Sequence, residues 1–183
     1  EGLDTARRIG NRRAESSLFG NYAFMALTLG AWDELLTEVR GLPASVADSP
    51  VLLGNVMQVL AFRGEPVERA VLEASLAELD PSVEEAILLD FDTNIALVTG
   101  RPADAIAAAT RLAEVSSASA PSAFVVAAHA AAWSGDLATL RRASDGLEAT
   151  RVRGIELDAA RVAIRAAIDA LEGRRAESVA GYR

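Results

Sequence analysis

The sequence contains no cysteine and no lysine, and it has a single histidine. Without cysteine the chain has no disulfide bond, no thiolate zinc ligand and no cysteine nucleophile. Without lysine it cannot contain the phosphate-binding loop that ends in Gly-Lys-Ser/Thr. His129 lies in a largely apolar segment, and a metal site or a catalytic triad would need partners for which the sequence shows no motif. We therefore expect no enzyme activity, no metal and no cofactor, with His129 in the core or lining a groove.

Aromatic residues are scarce as well, at 5% of the chain, although 51% of the residues are hydrophobic. The apolar content is mainly Ala, Leu and Val, and Ala and Leu lose little free energy on entering a helix. No uncharged apolar run reaches the roughly 18 residues that span a bilayer. The alternation typical of strands is nearly absent. We expect an all-α protein, and the absence of cysteine fits a cytoplasmic location.

Glycines occur at a regular spacing. Each of five glycines follows one apolar helical pattern and precedes another, and successive glycines are 34, 36, 35 and 38 residues apart (Gly30, Gly64, Gly100, Gly135 and Gly173). A glycine just after a helix allows the left-handed backbone that reverses the chain. A period near 35 residues is that of a stacked array of helix pairs.

The pattern predicts paired helices over most of the chain. Prolines stand near many predicted starts, where their missing N–H removes no helical hydrogen bond. In the helix at 155–172, one apolar stripe includes Leu157 and Ile164 and a second includes Ile155 and Val162, so both sides should be packed. The predicted pairs are 12–29 with 31–41, 50–63 with 66–79, 82–99 with 102–117, 121–133 with 136–149, and 155–172 with 175 onward, after a first helix at 2–10.

Two segments repeat each other residue by residue. Leu18–Gly30 and Leu52–Gly64 superpose at an offset of 34, which places Gly20 on Gly54 and Asn21 on Asn55. Three features resemble the tetratricopeptide repeat (TPR) family: the Leu-Gly-Asn-like element, present as Phe19–Asn21 and Leu53–Asn55, the glycine turn at Gly30, and the Trp-Asp-Glu-Leu that follows it. The third and fourth units lack the Leu-Gly-Asn-like element. The resemblance implies a right-handed superhelical array of about five antiparallel helix pairs. We expect one such domain over residues 1–183.

The stretches 6–35 and 147–183 also resemble the C-terminal helical regions of large actinobacterial regulators. In those proteins a cyclase or DNA-binding domain is joined to an ATPase module and a TPR-like tail. The chain begins with Glu1 and ends within a helical pattern, so we expect a part of a longer protein. The resemblance implies a non-catalytic interaction or regulatory module of a cytoplasmic signalling or transcription-regulating protein.

The resemblance also implies a binding surface, because the first helix of each TPR pair lines the concave face. It would carry Asn21 and Asn55, with Phe24 and Gln58 one turn later. The two asparagines could instead only tie adjacent helices together, because buried amides need hydrogen-bond partners in either case.

Charge is concentrated in one region. Residues 65–99 contain nine acids and one base, Arg69, which equals the net charge of −8 of the whole chain. This region is either a solvated outer face or an acidic docking surface for a basic partner. The overall negative field argues against direct nucleic-acid binding. The acidic candidates are Glu73, Glu78, Glu84, Glu85, Asp90 and Asp92. An N-terminal basic patch could pair with a preceding domain or with the acidic region of a second copy (Arg7, Arg8, Arg12 and Arg13).

Three functions stay open at this stage. The first is an interaction module for a protein, a peptide or other domains of the same chain. The second is a spacer or homo-oligomerisation scaffold. The third is a sensor that binds a small apolar effector in a buried cavity around Phe124, His129 and Trp133.

Overall fold

The computed structural model describes residues 2–47, 49–77 and 79–181. Within these ranges all regular structure is helical and none is strand, as the composition predicts. No helix of the described residues is long and apolar enough to cross a membrane. The helices in chain order are α1 (Gly2–Arg8), α2 (Arg12–Leu29), α3 (Trp32–Arg40), α4 (Ala44–Ala47), α5 (Pro50–Phe62), α6 (Arg69–Leu76), α7 (Pro81–Val98), α8 (Pro102–Val115), α9 (Ala120–Ser134), α10 (Leu137–Ala149), α11 (Ile155–Leu171) and α12 (Arg175–Gly181).

The helix ends follow the sequence prediction closely, with two differences. The short helix α4 lies in the connection between α3 and α5 and was not predicted. Helix α6 begins at Arg69 rather than at Pro66, because the backbone before it is not helical, with φ −97° and ψ 88° at Glu68.

The predicted glycine turns are confirmed. All five glycines have φ between 72° and 80°, and Gly10, at 69°, forms a sixth turn of the same kind. At the end of α2 the Ala31 N–H donates to the carbonyl of Ala26 over 2.9 Å, and the Gly30 N–H donates to Leu27. This paired arrangement satisfies the last carbonyls of a helix and needs a left-handed residue, for which glycine is best suited. The regular spacing of these glycines in the sequence therefore marks the ends of helices.

The chain divides into two compact units, Glu1–Asp80 and Pro81–Arg183. In the first unit, α2 packs against α1, α3, α4 and α5, and α5 also contacts α3 and α6. The buried core lies between these helices and includes Phe19, Ala23, Leu35, Leu52 and Val59. In the turn after Gly30, Leu35 is buried and Leu36 packs on this core, while Asp33 and Glu34 face solvent.

In the second unit each helix from α7 to α11 packs on the next, α9 also contacts α7 and α11, and α11 packs on α12. The core is rich in alanine, including Ala123, Ala127 and Ala131 of α9, which lets the helices approach closely. One prediction for α11 is wrong. Ile164 is buried, but Ile155 is 88% exposed and Val162 is exposed as well, so the second apolar stripe faces solvent near its start.

The prediction of a single repeat domain stays a prediction. Within each unit, alternate helices are in contact: α2 contacts α5 in the first unit, with the short α4 set aside, and α9 contacts both α7 and α11 in the second. Contacts limited to neighbouring repeats are typical of stacked arrays. Such arrays also divide readily into compact units.

Candidate functional site

One face of α2 carries a row of exposed side chains. It consists of Leu18, Asn21, Phe24, Met25 and Leu29, which we call the α2 stripe. All five are exposed, and Leu29 is 74% exposed. Residues at spacings of three and four lie on the same side of a helix. The stripe is therefore a surface of three large aliphatic side chains, one aromatic ring and one amide.

The opposite side of α2 explains why this row stays open. Phe19, Ala23 and Ala26 are buried in the core of the first unit. Gly20 lies so close to α5 that a Cβ atom there would be 3.1 Å from Cγ1 of Val51. Because α2 uses its buried side to pack against the rest of the unit, the apolar residues of the stripe remain exposed, although Leu18 at one end lies beside α1, where a Cβ on Gly2 would be 3.7 Å from its Cδ1.

The two predicted asparagines lie in different surroundings. Asn21 is exposed on the α2 stripe, while Asn55 is buried in α5. The Asn55 amide donates to the carbonyl of Gly20 over 3.4 Å and to that of Val51 over 3.0 Å. Asn55 therefore ties α5 to α2, as the alternative interpretation proposed. Gln58 is half-buried one turn further along α5.

A second open row runs along α9, through Ser122, Val126, His129 and Trp133, and we call it the α9 stripe. Trp133 is 68% exposed, Ser122 and His129 are exposed, and Val126 is half-buried. The pKa of His129 is lowered by desolvation from the protein around it, even though its side chain reaches solvent. This shift favours the neutral imidazole.

The sensor alternative would be supported by an enclosed cavity around Phe124, His129 and Trp133, and the exposure of Trp133 and His129 argues against one. Trp133 is open to solvent, so it cannot line a buried space. Phe124 is half-buried and packs on α10, where its ring fills the space that a Cβ on Gly146 would need.

The acidic candidates differ in their partners. Glu73 pairs with Arg69, and Glu85 accepts a hydrogen bond from Nε of Arg111 over 2.9 Å. Glu84 and Asp92 are half-buried on α7 and Asp90 is exposed there, whereas Glu78 lies outside the described residues. Desolvation raises the pKa of Asp90.

Two arginines of the N-terminal basic patch bind a buried carboxylate within the first unit. Glu15 is 1% exposed, and its carboxylate accepts hydrogen bonds from Arg7 over 3.0 Å and from Arg12 over 2.7 Å. The hydrogen bond from Arg12 has the largest effect and lowers the pKa of Glu15, desolvation raises it, and Arg7 lowers it further, so that the net shift is downward. Arg8 and Arg13 are exposed.

The sequence interpretation missed Leu18, Met25 and Leu29 as surface residues. A signal for them existed, because the apolar residues of α2 are spread around the whole helix rather than confined to one side, and one helix in a small unit cannot bury them all. Among the described residues, no group of three or more His, Asp or Glu side chains is placed to hold a metal ion. Comparison of the chain with protein-family models, curated proteins and solved structures gives no match.

Proposed function

We propose that the chain is a non-catalytic interaction module that binds a protein partner through the α2 stripe. The observation that carries this proposal is the exposure of Leu18, Phe24, Met25 and Leu29 on one face of a helix whose other face is buried. Large apolar side chains that cluster on a surface mark binding sites far more often than single exposed ones do.

The composition of the stripe fits a protein partner. Phe and Met are enriched at protein interfaces, and a few such residues supply most of the binding free energy. Asn21 lies among them and offers both a donor and acceptors, which would orient a partner backbone. The stripe has no charged side chain, so binding there should depend little on salt.

The resemblance to TPR proteins supports the same function. In that family the first helix of each pair carries the binding surface, and α2 is the first helix of its pair. The α9 stripe lies on another first helix, with Trp133 exposed. The proposal includes a superhelical arrangement, a cytoplasmic location and a place in a larger signalling or transcription-regulating protein. The recurring contacts between first helices favour the superhelical arrangement.

The test is a pair of matched double variants. Met25→Glu with Leu29→Glu adds two charges, one turn apart, to the α2 stripe. Ala70→Glu with Ala74→Glu adds two charges at the same spacing to α6, where both alanines are exposed. All four changes are at exposed helical positions, so each double variant should fold.

We expect the stripe variant to bind the partner captured from the source organism at least about tenfold more weakly, since interface anchors contribute about 1–2 kcal/mol or more each. The α6 variant should bind like the wild type. Equal binding by both variants would contradict the proposal. Light scattering on the same proteins tests the scaffold alternative. If the wild type and the α6 variant are dimers and the stripe variant is a monomer, the partner is a second copy of the chain.

A further inference from the structure

A groove in the second unit has a chemistry distinct from that of the α2 stripe. It has a volume of about 390 Å³ and lies between the first half of α7 and the turn from α8 to α9. Apolar side chains form much of its wall, and it also contains one carboxylate and several serine hydroxyls. The apolar lining residues are Val83, Ala86, Ile87 and Val115.

The carboxylate of Asp90 is the one ionisable group that lines this groove in the described structure. It has no hydrogen-bond donor and no ion-pair partner among the described residues, and desolvation is the only cause that raises its pKa. Helix α7 contains no basic residue. The arginine that faces α7 from α8, Arg111, is already bound to Glu85 and Glu114. The described residues of this unit therefore supply no cation that compensates the Asp90 carboxylate when it is ionised.

The serine hydroxyls supply further acceptors at the same place. Ser116 and Ser119 lie 3.0 Å apart between their Oγ atoms, and the Ser116 Oγ accepts the Ser119 N–H over 3.2 Å. A carboxylate and hydroxyl oxygens above an apolar wall suit a group with several N–H donors on an aliphatic stem. Arginine and lysine side chains have this form, since they bury the stem and keep the charged end in a polar setting.

We propose that this groove binds the cationic end of an arginine or lysine side chain from a partner polypeptide. The Asp90 side chain is accessible from solvent. The arginine or lysine side chain of the partner can therefore enter the groove while the partner backbone stays outside. The acids that α7 carries within the same unit, Glu84, Glu85, Asp90 and Asp92, outnumber its bases, since α7 has none, and would attract a basic segment and raise its rate of association. The proposal is independent of the α2 stripe, because it concerns a different unit and a different ligand chemistry.

The test is an NMR titration of the full chain with two peptides. The first is acetyl-Gly-Val-Arg-Val-Gly-amide, and the second has citrulline in place of arginine, which keeps the shape and removes the charge. We expect saturable shifts of the amides of Ile87, Asp90 and Ser116 with the arginine peptide, and binding roughly tenfold weaker with the citrulline peptide, as for a lost hydrogen bond to a charged group.

Asp90→Asn should weaken binding of the arginine peptide by a similar factor. Glu84→Gln removes the same charge from the same helix outside the groove and should leave binding unchanged. Because the Asp90 charge has no partner to lose, Asp90→Asn should unfold at the same urea concentration as the wild type or a higher one. Equal binding of both peptides, or no effect of Asp90→Asn, would overturn the proposal. If butylguanidinium binds as tightly as the arginine peptide, the claim that the ligand is part of a polypeptide is overturned.

Discussion

The packing of α10 on α9 gives the sharpest prediction, at Gly146. An ideal Cβ at this position would lie 2.5, 2.6 and 2.8 Å from three ring atoms of Phe124. Carbon atoms that are not bonded pack best at about 3.5–4.0 Å. Gly146→Ala therefore forces the ring of Phe124 to move away from α10.

The magnitude follows from two opposing effects. Alanine is better than glycine inside a helix by about 1 kcal/mol. Overpacking a well-filled site costs about 1–3 kcal/mol. We expect Gly146→Ala to lower the free energy of unfolding by about 1 kcal/mol on balance.

The chain offers a matched control at Gly54, inside α5. Apart from the adjoining residues and backbone of α5 itself, no described atom lies within 4 Å of an ideal Cβ there. Gly54→Ala should therefore show the helix effect alone and raise the free energy of unfolding by about 1 kcal/mol. The two Gly→Ala substitutions should therefore change the free energy of unfolding in opposite directions.

Urea unfolding measures the two free energies, and hydrogen exchange of the α10 and α5 amides assigns each effect to its own unit. In a Phe124→Leu background, where the side chain is smaller, Gly146→Ala should lose most of its penalty, which a double-mutant cycle quantifies. If Gly146→Ala stabilises the protein as much as Gly54→Ala does, the close packing of Phe124 on α10 is refuted.

Two further predictions concern Glu15 and Gly135. Because the net pKa of Glu15 lies below its ordinary value of 4.5, its ion pairs stabilise the fold above that pH, and this stabilisation is lost as the pH falls through the folded-state pKa. The melting temperature of Glu15→Gln should therefore lie below that of the wild type at pH 7, and this difference should narrow as the pH falls below 4.5 through the lowered folded-state pKa; a difference that stays constant from pH 7 to pH 2 would contradict the role of the charge. Gly135→Ala places a side chain at φ 72° and should cost about 1–2 kcal/mol in urea unfolding, whereas Gly41→Ala, at φ −90°, should cost far less; equal effects would argue against the left-handed turn.

The sequence predicted the helices and turns well because their causes are local. A glycine such as Gly100 ends a helix through its own backbone conformation and the hydrogen bonds of its neighbours. The apolar pattern before it and the proline after it are also read within one turn. No knowledge of distant contacts is needed for such a prediction.

The surroundings of each side chain were harder to predict, because they depend on which helix lies opposite. Asn21 and Asn55 occupy equivalent places in the repeat, yet Asn21 is exposed and Asn55 is buried. The difference arises because α5 lies against Gly20, whose missing side chain lets the Asn55 amide reach a carbonyl of α2. A sequence offset places both residues on the same side of their helices, but it does not show which side has a neighbour.

The groove at Asp90 was beyond sequence reasoning for a similar reason. In the sequence Asp90 is one of nine acids in residues 65–99, and no neighbouring residue distinguishes it from Glu85. Only the fold brings the turn with Ser116 and Ser119 next to α7 and pairs Arg111 with Glu85 rather than with Asp90.

The most direct test of the account is site-specific photo-crosslinking in cells of the source organism. Benzoylphenylalanine would replace Met25 on the α2 stripe in one protein and Ala74 on the exposed side of α6 in another. We predict a covalent adduct with a distinct protein at position 25, lost when Leu29 is replaced by Glu, and none at position 74. Adducts of equal yield at both positions, or no adduct at position 25, would contradict the claim that this chain works by binding a protein through α2.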